Sequence, residues 1–322
     1  MQALFFFREV FLIKRKTRRS IVSLLIISPT LVAIGIFVYA FITWTARTSM
    51  SNWNSFARLL RGEYEFVGLR NYLRLFEDPR FQTDLWNTFY FTLFFIAGCL
   101  ALGIILAVLV DKNIKGASIF RNIYLFPMAL SFVVTGAVWR WIFAPGILPN
   151  SPQGMNLLFS ILGLDIFQWK WFTSTVSFFR FNVALIPVII AAVWQLSGYT
   201  MAMYLAGLRG ISHDLIEAAE VDGATNWQIF WRIKFPILRP ITLSAMIILG
   251  HISLKIFDLV YAMTGSGPNN VTDVPAIYMF ETTFRANKYA TGSAIAMVML
   301  IMVAVVIIPY LGSAFKKEKV VS

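Results

Sequence analysis

The chain has 322 residues, 58% of them hydrophobic, with a mean hydropathy of +0.70 and only 14% charged side chains. A water-soluble domain cannot cover that much apolar surface, so the composition indicates an all-α integral membrane protein. The net charge of +12 does not indicate nucleic acid, because many of the cations are blocked at the ends of apolar runs (Lys14-Arg15-Lys16, Arg18-Arg19, Lys316-Lys317, Lys319). That is the topology pattern of a membrane protein.

In chain order, residues 1–20 form a basic start whose apolar stretches at 4–7 and 10–13 suit an amphipathic helix on the cytoplasmic membrane surface. Residues 21–44 are the first span, with Pro29 tolerated in a packed membrane helix. The run is too long for a secretory signal and lacks a convincing cleavage site, so it is read as retained. Residues 45–85 are external. Within them Leu69, Tyr72, Leu73 and Phe76 recur at helical spacing opposite Arg70, Arg74 and Glu77, which predicts an amphipathic interfacial helix ending at Asp78-Pro79. Arg47, Arg58, Arg61, Arg70, Arg74 and Arg80 run against the positive-inside bias there, and Glu63, Glu65, Glu77, Asp78 and Asp84 partly offset them.

The second span covers about 86–110 and exits at Asp111-Lys112, and the third covers about 122–143 around Pro127. In the outer segment 144–182, residues 155–167 are too few to cross a bilayer and read as a lateral surface helix. The fourth span is about 183–206, the fifth 241–263 and the sixth 291–311, with the turn Gly265-Ser266-Gly267-Pro268 opening the external segment 264–290. Six crossings put both termini and the loop 207–240 on one side, and the basic ends identify it as the cytoplasm. No fixed-period repeat or low-complexity linker divides residues 1–322, so they read as a single domain.

The loop 207–240 reads as two short helices broken at a glycine. Ser212 can cap the first, and Asp214 sits in its first turn, where a negative charge suits the helix dipole. Leu215, Ala218, Ala219 and Asp222 share a face, and Gly223 is placed to stop the helix in a left-handed conformation. A second helix runs from about Asn226 to Pro236 with Trp227, Phe230 and Trp231 on one side. Helices this short are marginal alone in water, and the small residues Ala218, Ala219 and Ala224 suit the close approach of a partner's backbone.

Catalytic signals are missing. The sequence has no Gly-Lys pair, which excludes the phosphate-cradling G-x-x-x-x-G-K-[ST], and it lacks G-x-S-x-G, G-x-G-x-x-G and H-E-x-x-H. The chain is therefore read as no enzyme, and any ATP hydrolysis belongs to another chain. One cysteine, Cys99, excludes a disulfide framework, and His213 and His251 read as packing residues, leaving no metal site. Inside the spans, Arg140, Lys255 and Asp258 stand out, because a charge at mid-bilayer costs roughly 2.5–3.5 kcal/mol on insertion scales. Arg140 lies near an outer end and can snorkel. Lys255 and Asp258, three apart, can pair on one helix face. With Ser253 and Tyr261 that face lines a solute pathway, or else the pair is a structural bridge between helices.

The spacing Glu217-Ala218-Ala219, three residues, Gly223, nine residues, Ile233, one residue, Phe235-Pro236 resembles the EAA loop of binding-protein-dependent ABC transporter permeases, with Phe235 where that family usually has Leu. The stretches KIFDLVYAMTGSGP, VGLRNYLRLFEDPRF and WNTFYFT extend the likeness, from about residue 66 onward, to carbohydrate-uptake permeases of the maltose and glycerol-phosphate type. The resemblance implies six transmembrane helices with a cytoplasmic coupling loop, in the bacterial cytoplasmic (inner) membrane. It implies half of a translocation pathway for a sugar or sugar derivative, completed by a second homologous permease. Two cytoplasmic ATPase subunits carrying ATP and Mg, and an extracytoplasmic solute-binding protein, are the further partners, besides membrane lipid. By the resemblance, Glu217 pairs with a basic residue of the ATPase, and Ala218, Ala219, Asp222, Gly223, Ile233 and Pro236 belong to the docked element. Sugars are held by aromatic platforms and planar polar groups, which Trp194, Gln195 and Tyr199 offer on a span flanking that loop, where the family's substrate contacts also lie. The rival reading is an ATP-independent carrier or channel subunit, which favours paired repeats or an embedded coupling site.

Overall fold

The computed structural model describes residues 26–111 and 116–321. The basic start at 1–20, the first residues of the first span and the exit at Lys112 lie outside them. Among the described residues four helices are long and apolar enough to cross a membrane: Ile26–Ser49 (α1), Pro79–Asp111, Val183–Arg209 and Tyr289–Pro309. Two further pairs reach that length only across a sharp bend, which makes up to six spans by length and composition.

Helix α1 extends past the predicted end at residue 44, and none of its apolar window is buried within the chain. The helix predicted between the first two spans is Arg70–Glu77 (α2). Its predicted apolar face is split: Tyr72 packs against the chain, its hydroxyl 2.6 Å from Ser49 Oγ, while Leu69, Leu73 and Phe76 are exposed; Asn71 and Leu75 beside it are buried. The reason is a polar anchor, since Asn71 Nδ2 donates to the Ser49 and Ser51 carbonyls, each at 2.8 Å. The next helix, Pro79–Asp111 (α3), starts earlier than residue 86. Pro79 is suited to a first helical position, and Asp78 Oδ1 accepts from the Arg80 backbone N–H at 2.8 Å. The arginines around it find partners outside a topology rule. Arg47 lies 4.8 Å over the Tyr64 ring, Arg61 is 3.6 Å from Glu63, and Arg80 joins a buried cluster described below.

The third span is not the continuous helix predicted over 122–143. Ala117–Ala129 (α4) and Phe132–Ile142 (α5) meet at 100°. Pro127 sits in a tight 3-10 turn, Leu130 is extended, and Ser131 caps the new helix by accepting from Val134 N–H at 3.3 Å. A missing proline N–H and a fresh N-cap are together enough to restart a helix in a new direction. The surface segment 155–167 is also divided, into a helix at Gly154–Ile161 and a 3-10 turn at Asp165–Phe167, with Gly163 at φ 69° between them. Two small hairpins, Gly146–Ile147 with Ser151–Pro152 and Ser177–Phe178 with Phe181–Asn182, complete this region.

Val183–Arg209 (α6) is the central element, with 72% of its apolar window buried against 28% for α3. It packs along α3, where Phe91, Phe95 and Cys99 meet Val188, Ala191, Ala192 and Leu196. On its other side a Cβ at Gly198 would overlap the carbonyl oxygen of Tyr124, so glycine sets the α4–α6 distance. Gly198→Ala is therefore expected to lower thermal stability by the roughly 1–3 kcal/mol of an overpacked core. Gly35→Ala, with nothing within 4 Å, is the matched control. Equal melting of both variants in detergent would remove this packing argument.

After α6 come His213–Val221 (α7) and Asn226–Ile237 (α8), then Arg239–Leu254 (α9) bent by 61° from α8. The predicted fifth span, 241–263, breaks as well. Helix α9 ends at Leu254, Lys255 leaves helical geometry at φ −119° and ψ 20°, and Asp258–Met263 (α10) begins anew. Asp258 in its first turn meets the positive end of that helix. Pro275–Phe280 (α11) leads through a π turn, Glu281–Arg285, to Tyr289–Val321 (α12), which begins just before the predicted residue 291.

Candidate coupling loop and solute path

Helices α7 and α8 form the exposed pair that the sequence singles out. Ser212 stands at the N-cap of α7, but its side chain makes no capping bond, contrary to expectation. Asp214 is in the first turn as predicted. No residue of α7 is buried, and Val221 is 89% exposed. Gly223 closes the helix at φ 81°, with its N–H on Glu220 O at 3.0 Å and the Ala224 N–H on Ala219 O at 2.9 Å. Only a residue free of a Cβ penalty takes that conformation without strain.

A cap that the sequence reading missed starts α8. Thr225 Oγ1 accepts from Gln228 N–H at 3.4 Å, and Gln228 Oε1 accepts from Thr225 N–H at 2.8 Å, a reciprocal box whose T-x-x-Q signature was available in the sequence. Pro236 is accommodated by a π turn over Phe230–Lys234. Trp227 meets Trp231 edge-on and Trp231 lies tilted against Phe235 along one side, at 5.5 and 5.0 Å between ring centres. Of the predicted coupling residues, Asp222, Gly223 and Ile233 come together along one groove of about 290 Å³. Glu217 and Ala218 are exposed on α7, and Ala219 and Pro236 are half-buried.

The predicted path residues divide into two groups. Trp194 is 39% exposed and meets Trp139 edge-on at 5.6 Å. Gln195 is buried, and its Nε2 donates to Leu130 O at 2.8 Å, where the α4–α5 break frees a carbonyl. Its Oε1 has no partner among the described residues, and Tyr199 is half-buried on the same helix. In the second group Tyr261 stacks on Phe257 at 5.0 Å, and its hydroxyl accepts from Arg285 Nη2 at 2.6 Å. Ser253 is buried away from both, accepting from Thr92 Oγ1 at 2.9 Å and donating to Gly250 O at 2.9 Å. Lys255 and Asp258 are not a helix-face pair: the break between α9 and α10 separates them, both are exposed, and among the described residues no ion pair joins them. Arg140 is exposed in the last turn of α5, where a cation suits the helix C-terminus. Among the described residues no group of acids, histidines or cysteines could hold a metal.

A charged cluster missing from the sequence reading ties α3 to the segment 264–288. Arg80 contacts Asp273 and Glu281, each at 2.6 Å, and lies 4.4 Å over the Tyr278 ring. The Tyr278 hydroxyl donates to Asp78 Oδ2 at 2.5 Å, and burial together with that carboxylate pushes its pKa up. Burial also pushes the Asp273 carboxyl up, against the downward pull of Arg80. Asp84, buried next to this cluster, has neither carboxyl oxygen partnered among the described residues. Asn87 completes the tie, donating to Val271 O at 3.2 Å and Asp273 O at 2.8 Å.

Among the described residues, four membrane-length helices and two sharply bent helix pairs include one largely buried helix, α6, beside the short, solvent-facing α7. A bacterial ABC transporter involved in the import of the acidic polysaccharide alginate has a chain of this fold, with a TM-score of 0.73 over 91% of this chain and 96% of that one, at 20% identity. Residues 99–318 match the binding-protein-dependent transport system inner membrane component family, and the chain belongs to it. It is 42% identical to a probable ABC transporter permease protein of Pyrococcus horikoshii, over 92% of this chain and 96% of the relative. It is 37% identical to the xylose/arabinose import permease protein XacH of Haloferax volcanii, over 79% and 77%. With the trehalose/maltose transport system permease protein MalF of Thermococcus litoralis it shares 30% identity over 92% and 95%. The family expected from the spacing around Glu217 and Gly223 is thus the family found.

Proposed function

We propose that this chain is one permease half of an ABC importer for a sugar or sugar derivative. One observation carries the reading: membership of a binding-protein-dependent transport family, with relatives named for sugar import matched over most of their length. Each bent pair counts as one span, α4 with α5 and α8 with α9, giving six crossings in one domain with both termini cytoplasmic. A second homologous permease completes the path, two ATPase subunits supply ATP and Mg chemistry, and an extracytoplasmic binding protein delivers solute. Helix α7 and the groove at Gly223 form the docking element for the ATPase, with Glu217 as its charged contact. That no residue of this short amphipathic helix is buried supports this, because such a helix needs cover from outside the chain. Family membership argues against an ATP-independent carrier.

The solute path runs past Trp194, Gln195 and Tyr199, with Tyr261 further along; Ser253, Lys255 and Asp258 are weaker members after the break in the fifth span. Trp194 offers a partly exposed ring, and Gln195 an unpaired buried acceptor. Trp194→Ala is expected to weaken uptake about tenfold, the effect of losing one good contact, with complex assembly retained. Unchanged uptake kinetics would take Trp194 off the path. The whole reading is tested by identifying the proteins that co-purify with the chain and reconstituting them in liposomes. Uptake should need ATP and the binding protein. Solute movement by the purified chain alone, without nucleotide, overturns it.

A further inference from the structure

A wide cavity lies outside both candidate sites. It holds about 740 Å³ and is lined by residues of α2, the Asp78–Arg80 turn, the 281–288 segment and the start of α12. Four cations line it, Arg74, Arg80, Arg285 and Lys288, against two carboxylates, Asp78 and Glu281. The balance of partners matters more than the count. Asp78 is taken by the Tyr278 hydroxyl and the Arg80 backbone N–H, and Glu281 by Arg80 at 2.6 Å and Arg285 at 3.8 Å. Arg285 also donates to Tyr261. Arg74 and Lys288 remain: both are exposed, and neither side chain has a hydrogen bond or ion pair among the described residues. Two free cations over a basin whose acids are already engaged leave it short of negative charge.

The basin is built on external segments, at the face where a binding protein arrives. We propose that it is a receptor for acidic side chains of the extracytoplasmic binding protein, with Arg74 and Lys288 as the carboxylate contacts; this rests on the importer reading above. Its volume admits two or three side chains, and its floor is rigid, because Arg80 is clamped to Asp273 and Asn54 Oδ1 holds both the Thr291 N–H and hydroxyl at 3.0 Å. Arg285 gives the basin a direct connection to the path, since the guanidinium that forms its wall also holds the Tyr261 hydroxyl. Exposed charges at an interface rim act mainly on encounter and register, and they are screened by salt.

The test uses the assembled importer in nanodiscs, with ATPase rate measured against binding-protein concentration. Arg74→Glu with Lys288→Glu should raise the half-saturating concentration about tenfold, keep the maximal rate, and flatten its dependence on salt. Arg70→Glu, on the same helix but outside the basin, should shift it less than twofold. A photo-crosslinker at Lys288 should capture the binding protein. A double variant with wild-type half-saturation, or an equal shift from Arg70→Glu, overturns the receptor while leaving the importer reading intact. An effect seen only with anionic lipid present assigns the basin to a phospholipid headgroup and also overturns it. A wild-type complex whose ATPase ignores the binding protein removes the importer reading and the receptor together.

Discussion

Gly223→Pro and Glu217→Lys should each abolish ATP-driven uptake by the assembled importer while the chain still inserts and meets its permease partner. The two substitutions act on different properties of one element. Gly223 sits at φ 81°, which proline cannot reach because its ring fixes φ near −65°. Proline also removes the N–H that Gly223 gives to Glu220 O. No atom lies within 4 Å of a Cβ there, so the fault is conformational and stays local to an exposed loop. What should be lost is the fixed angle between α7 and α8, and with it the proposed rigid-body transmission of closure into the spans. Gly223→Asn is expected to keep most uptake, since asparagine tolerates the left-handed region. Glu217→Lys leaves the backbone alone and reverses the charge presented to the ATPase. The measurements are nucleotide-dependent uptake in proteoliposomes and co-purification of the ATPase subunits. Normal values of both in both variants would end the coupling role of this loop.

The legible parts of this chain are those whose cause is local. Gly223 announces its own left-handed turn, and the apolar run at 183–206 continues as one helix because its proline, Pro187, falls in the first turn, where no N–H is needed. The T-x-x-Q box at Thr225 was equally local and simply went unread. The breaks are harder. Pro127 is a true signal, but membrane helices often keep a proline without ending, so sequence alone did not choose between a kink and a restart. At 255–257 the residues are Lys-Ile-Phe, with no glycine or proline to mark a stop. There packing decides, with Ile256 and Leu259 buried on either side of the break. That break is also why Lys255 and Asp258, correctly spaced for a helix face, fail to form one. The Arg80 cluster lies beyond local reading altogether. Its partners Asp273 and Glu281 are 193 and 201 residues away, so no spacing rule connects them. Asp78, Arg80 and Asp84 looked like loosely balanced charges of an external segment, whereas the fold gathers them at the N-terminal end of α3.

Arg80→Met is the substitution that should damage the fold most. Arg80 is the counterion of Asp273, whose side chain is fully buried, and removing one member of a buried pair costs on the order of 3–5 kcal/mol. The groups facing Asp273 fix the pH dependence. Burial pushes its carboxyl up, Glu281 adds to that push, and Arg80 opposes both; Asp84, buried on α3, adds no positive charge. Without Arg80 the folded-state pKa lies above the unfolded value. Such a group is protonated and tolerated at low pH, and its contribution to stability is lost as pH rises through the folded value. The variant complex should therefore melt closer to wild type at pH 5 than at pH 8. Adding Asp273→Asn to Arg80→Met should restore part of the loss and flatten its slope with pH, because one of the two carboxyls left without a cation, Asp273 beside Asp84, is gone. If Arg80→Met melts like wild type at both pH values, the outer clamp carries no stability, and α3 is held to the 264–288 segment by Asn87 and apolar packing alone.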